Sequence, residues 1–204
     1  MTGPLQQEFR LARTDEFFGI VEPPTSIRLR IVGAAECDRH EQFLAALKDK
    51  AFQLIDPGGK SRSPLYASFC TDTLWHLRSG NPHPKKRIID DRLHRFRWVR
   101  DYIRCKVQRY EIELCLAECN LLNENKKPVF TFTDGRMDRY PGLDSGDTAL
   151  SLWEEEIHEK VLEMNPDWKG AADLLLDQLV RDHHLEDLAA PTQELGSETI
   201  FSTS

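Results

Sequence analysis

Residues Ile27-Arg28-Leu29-Arg30-Ile31 alternate apolar and basic side chains with a period of two. This is the clearest mark of a half-buried strand in the chain, and it ends at Gly33. A second β-prone run, Pro128-Val129-Phe130-Thr131-Phe132-Thr133, is closed by the turn pair Asp134-Gly135. Most other apolar residues recur at helical spacing. The expected class is therefore α+β: a mostly helical single domain with a small sheet of two to four strands.

The helices are read from their stripes and their stops. Asp38 stands three residues before Glu41, a helix-start pattern, and Phe43, Leu44, Leu47, Ala51, Leu54 and Ile55 follow on one face. Asp56-Pro57-Gly58-Gly59 stops that helix. A short helix is expected from Leu65 to Leu77, then breaks at Ser79-Gly80-Asn81-Pro82 and Pro84. A longer helix should run from Ile88 to about Val107, with Ile89, Leu93, Phe96, Ile103 and Val107 in line. Residues 110–121 fit both periods, and their Glu, Leu and Ala content favours helix. Read as a strand, 110–118 would instead form a hairpin with 129–133. Asp147 should cap a helix through Met164, with Leu150, Trp153, Ile157 and Val161 inward and Glu154 to Glu156 in its first turns. A last helix is expected from about Trp168 to Leu188, with Ala172, Leu175, Leu176 and Leu179 inward.

The domain layout follows. Residues 1–24 read as an N-terminal arm whose Phe9, Leu11, Phe17, Phe18, Ile20 and Val21 can dock. Residues 25–190 form the domain, and 191–204 a flexible Ser/Thr/Glu-rich tail. With 40% hydrophobic and 30% charged residues the chain is globular. No run of about 18 apolar residues exists to span a bilayer, so no membrane partner is expected. The start MTGPLQQEF has neither a cationic opening nor an apolar core, and the five cysteines are scattered. An intracellular, reducing compartment is the expectation. No motif identifies a family.

Charge is unevenly placed. The net charge is -7, yet residues 82–109 hold 10 Lys or Arg against 3 acids, and residues 141–204 hold 3 against 15. One reading is that basic and acidic elements pack together and neutralise. The other is a nucleic-acid surface, with Lys85, Lys86, Arg87 and Arg95 for phosphates and Trp98 and Tyr102 for stacked bases. On a helical wheel the basic residues flank the apolar stripe on both sides. His94, Trp98 and Tyr102 form a second apolar-leaning face, as in a helix lying between other elements. The Pro-flanked loop from His83 to Arg87 is then the better phosphate site.

Other chemistry is sparse. Gly58-Gly59-Lys60-Ser61 lacks the earlier glycine of a phosphate loop and reads as a turn. Cys37-x2-His40 and Cys115-x3-Cys119 match no compact zinc signature, and Glu155-x2-His158 has no second copy. No metal and no cofactor is expected. Cys70, Ser68 and His76 lie near one another without a nucleophile elbow. Asp134, Asp138, Asp144 and Asp147 read as turn residues. The function read from the sequence is a non-enzymatic binding protein, contacting RNA or DNA through 82–109. The alternative is a protein-interaction or adaptor module that binds a protein partner or a second copy through the acidic helices or the arm. A weaker one is a metal-independent ribonuclease using His76, His83 or His94.

Overall fold

The computed structural model describes residues 6–11, 25–56, 92–122, 126–139 and 148–189. The expected helix at 65–77, the tail, most of the arm and the His83–Arg87 loop lie outside them.

The alternating segment becomes strand β2, Ser26–Arg30, with Ile27 and Leu29 buried. It is the centre of a three-stranded antiparallel sheet. On one side lies β1, Gln6–Arg10, pairing Phe9 with Ile27. The docking expected of Phe9 and Leu11 thus takes the form of a strand, with Leu11 in the core. On the other side lies β3, Leu116–Cys119, with a register shift between Arg28 and Leu29. A separate hairpin joins β4, Thr131–Thr133, to β5, Arg136–Arg139. Its turn is Asp134-Gly135, and both residues have positive φ, 52° and 69°. Asp-Gly suits this twist-matched two-residue turn because glycine carries no Cβ to clash. The fold is α+β, mostly helical, with sheets of three and two strands.

Helix α1, Ala34–Ile55, begins four residues before the expected Asp38 start. Gly33 is its N-cap, and Glu36 Oε2 accepts the Gly33 N–H at 3.2 Å. The Glu at the third helical position therefore satisfies the entry, and Asp38 already lies inside the helix. Helix α2 runs Arg92–Cys115, about 36 Å at the usual rise. It extends past the expected end at Val107 and passes straight into β3. The two competing periods at 110–121 are thus both real: helix to Cys115, strand from Leu116. The alternative hairpin with 129–133 does not form, because β3 pairs with β2. A bridge between Leu122 and Pro128, with Val129 N–H on the Leu121 carbonyl at 2.9 Å, leads into β4.

Helix α3 is Thr148–Met164, and Trp153, Ile157 and Val161 face inward as expected. Asn165-Pro166 ends it in a 3-10 turn at Pro166–Trp168. The helix starts at Thr148, directly after Asp147, and Glu154 in its second turn is fully buried. Gly170, φ 79°, starts α4, Ala171–Asp182. The single helix expected to Leu188 breaks at His183-His184, where His184 has φ 52°, and resumes as α5, Glu186–Ala189. His183 stacks its ring on Phe52 of α1 at 3.5 Å.

Two apolar clusters hold the fold. The sheet, the end of α2, α3 and Trp168 form one. Helix α1, the first part of α2, and α4 form the other around Leu54, Ile55, Ile103 and Leu179. Helix α2 serves both, so it is wrapped by other elements. No helix among the described residues is long and apolar enough to cross a membrane.

Candidate functional site

The interior holds one acid–base cluster. Glu111 of α2 is 1% exposed. Its Oε1 accepts from His40 Nε2 of α1 at 2.8 Å, and its Oε2 from His158 Nε2 of α3 at 2.5 Å. Burial works to raise the Glu111 carboxyl. The hydrogen bonds from His158 and His40 outweigh it and hold the group below its ordinary value. The His40 ring also stacks on Trp168, 4.3 Å between centroids. Both carboxylate oxygens are occupied, and the side chain of His40 is only 5% exposed. Chemically this is a three-helix lock.

The neighbouring thiols are quiet. Burial pushes Cys115 up to about 12 and Cys119 up to about 11, so both stay protonated near neutrality. Cys115 ends a helix and Cys119 lies on a strand, so they share no helix face. His40, the partner of Cys37 in the other Cys/His spacing, is spent on Glu111. Among the described residues no group of three His, Cys, Asp or Glu is placed to hold a metal.

Several cations of 92–109 have partners within the chain, most of them at its surface. Arg95 Nε donates to the Ile55 carbonyl at 2.8 Å and closes the C-terminus of α1. Tyr102 is 2% exposed, with Lys50 and Lys106 ammonium groups 5.8 and 5.4 Å from its ring centre. A base cannot stack on a ring so enclosed. Arg104 reaches Asp173 of α4 through Nε and Nη2, at 3.1 and 2.9 Å. Arg92 pairs with Asp56 at 3.6 Å, and Arg100 with Asp101 at 3.4 Å. Lys48 of α1 meets Asp182 of α4 at 2.8 Å. Of these pairs, Arg104 to Asp173 joins the basic block to the acidic third of the chain. Lys85, Lys86 and Arg87 lie outside the described residues, as does the Trp98 side chain.

The open site is a cleft of about 500 Å³ at one end of the three-stranded sheet. Its walls are the start of β1 at Gln6, the β2–α1 link at Arg30 to Val32 with Glu36, the α2–β3 link at Leu114 with Glu118, and the hairpin tip from Asp134 to Arg136. Arg30 Nη2 donates to the carbonyls of Leu114 at 2.8 Å and Glu113 at 3.3 Å, capping α2. Its Nε is buried with no partner among the described residues. Glu118 is paired with Arg28 at 2.9 Å, and Glu36 is spent on Gly33. The side chains of Asp134 and Arg136 make no hydrogen bond or ion pair among the described residues. A shallower cleft of about 320 Å³, floored by Arg28, Glu118 and Asn120 and reaching Phe132, continues across the same sheet.

Sequence reasoning missed both features. For the cluster, a signal existed: His40 stands on the stripe of Leu44 and Leu47, and Glu111 on that of Val107 and Leu114. A polar group on an apolar stripe must find a partner. For the cleft there was none, since its walls come from four separate parts of the chain. The chain matches no protein-family model, no curated protein and no solved structure.

Proposed function

We propose that this chain is a non-enzymatic binding protein and that the sheet-end cleft receives its ligand. One observation carries this reading. The cleft is of ligand size, within the roughly 300–1,000 Å³ of small-molecule sites. Its rim bears Asp134 and Arg136, charged groups with no partner among the described residues. Other charged side chains at its walls already serve the fold: Arg30 caps α2, Glu36 caps α1, and Glu118 holds Arg28. The acid–base cluster at Glu111 is likewise committed to packing. A melting screen of charged small molecules tests the reading. Ligands that raise the Tm of the native chain should lose that effect with Arg136→Gln. Equal shifts in both proteins would place binding elsewhere.

The nucleic-acid reading is the second one, and its support is the charge of the 82–109 block. Arg92, Arg95, Arg100 and Arg104 have partners within the chain, so this reading leans on Lys85, Lys86 and Arg87. A salt titration against labelled RNA tests it, because phosphate contacts make affinity fall steeply with salt. A protein-interaction role through the acidic helices has less to draw on, since Asp173 and Asp182 already bind α2 and α1.

A further inference from the structure

From this binding reading, on which the step rests, we infer that the cleft takes a small zwitterion: a carboxylate beside an ammonium, as in an amino acid or a short peptide. The charges at the cleft argue for it. Burial is the largest cost to the Arg30 charge; the guanidinia of Arg136 and Arg39 add to it, while Cys115 and the Glu36 carboxylate work against it without cancelling it. Like charges gathered in a partly dry place are relieved by an anion between them. The buried Nε of Arg30, lacking a partner among the described residues, adds to that demand. Arg136, at the mouth, has no side-chain partner among the described residues and is the guanidinium that can turn onto the anion.

An anion alone fits only half of the rim. Asp134 stands across Gly135 from Arg136 with no partner among the described residues. A simple carboxylate or phosphate would meet this acid unfavourably, whereas an ammonium completes it. The third requirement is apolar. Ile31 is 52% exposed at the cleft, beside Val32 and Leu114, and a large aliphatic group at that exposure is suited to cover a ligand side chain. Carboxylate on Arg136, ammonium on Asp134 and side chain over Ile31 use groups without partners among the described residues and disturb none of the committed ones.

The test is calorimetry on the full chain with pooled amino acids and with dipeptides, then with their N-acetylated and C-amidated forms and with inorganic phosphate. The two zwitterion sources are separated by which pool gives heat. Arg136→Gln and Asp134→Asn change only the exposed hairpin tip, and asparagine tolerates the positive φ at 134. The expected result is saturable binding to one pool. It should weaken about tenfold or more with either variant and with either blocked form, each removing one charged contact. N-acetyl forms or phosphate binding as well as the zwitterion would overturn the inference while leaving the cleft as a binding site. Saturable binding untouched by both variants, or no heat from any probe, would overturn the inference. The melting screen with Arg136→Gln then decides whether the cleft reading falls with it.

Discussion

His40 Nε2 donates to Glu111 Oε1 at 2.8 Å, joining α1 to α2 across 71 positions of the chain. Glu111 takes its second hydrogen bond from His158, so one buried carboxylate fastens three helices. Removing one partner of such a cluster strands the others in a dry interior. Glu111→Ala should cost about 3 kcal/mol or more. Urea unfolding followed by circular dichroism measures it. A cost under about 1 kcal/mol would mean that the helices pack without the lock.

The same carboxylate sets an acid limit. Glu111 is held below its ordinary value of 4.5 in the folded chain. A depressed carboxyl contributes stability that is fully present above its unfolded value and lost as pH falls through the lower folded one. The stability difference between the native chain and Glu111→Gln should therefore shrink as pH falls below 4.5. A difference that stayed flat to pH 3 would contradict the assignment.

The basic block separates into cations with partners within the chain and those on which the nucleic-acid reading rests. Arg95→Ala frees the Ile55 carbonyl and should lower stability by about 1 kcal/mol, with RNA retention unchanged. On the nucleic-acid reading, replacing Lys85, Lys86 and Arg87 together by Ala should reduce the salt slope on single-stranded RNA by about 2. Loss of RNA retention through Arg95 alone would reverse this division.

Gly135 holds the hairpin tip that walls the cleft. Its φ is 69°, and a Cβ there would meet nothing within 4 Å, so the cost of a side chain is backbone strain alone. Gly135→Ala should destabilise by about 1–2 kcal/mol. It should also weaken any ligand held by Arg136. Thermal melts and calorimetry on the same sample read both. Unchanged binding would detach the ligand from the hairpin.

How much of this was legible depends on how local each cause is. Ile27 and Leu29 announced their strand because alternation is a nearest-neighbour pattern. Trp153, Ile157 and Val161 announced their helix for the same reason. The start of α1 was misplaced because two acid pairs compete, Glu36 with Gly33 and Asp38 with Glu41. The hydrogen bond from the Gly33 N–H to Glu36 decides between them. Residues 110–119 were ambiguous because the chain changes period inside them, at Cys115. Strand β5 was not read, since Arg136-Met137-Asp138-Arg139 carries a single apolar residue. The partners of Arg95 and Arg104 lie 40 and 69 positions away. No local pattern could separate internal pairing from a phosphate surface.

The most direct measurement is a two-dimensional amide NMR titration of the 15N-labelled chain with charged small molecules, amino acids among them. Ligand in the cleft predicts saturable shifts confined to the amides of Ile31, Val32, Gly135 and Arg136, absent from Arg136→Gln. Shifts clustered on other elements, or no saturable shift, would contradict a binding role for the sheet end.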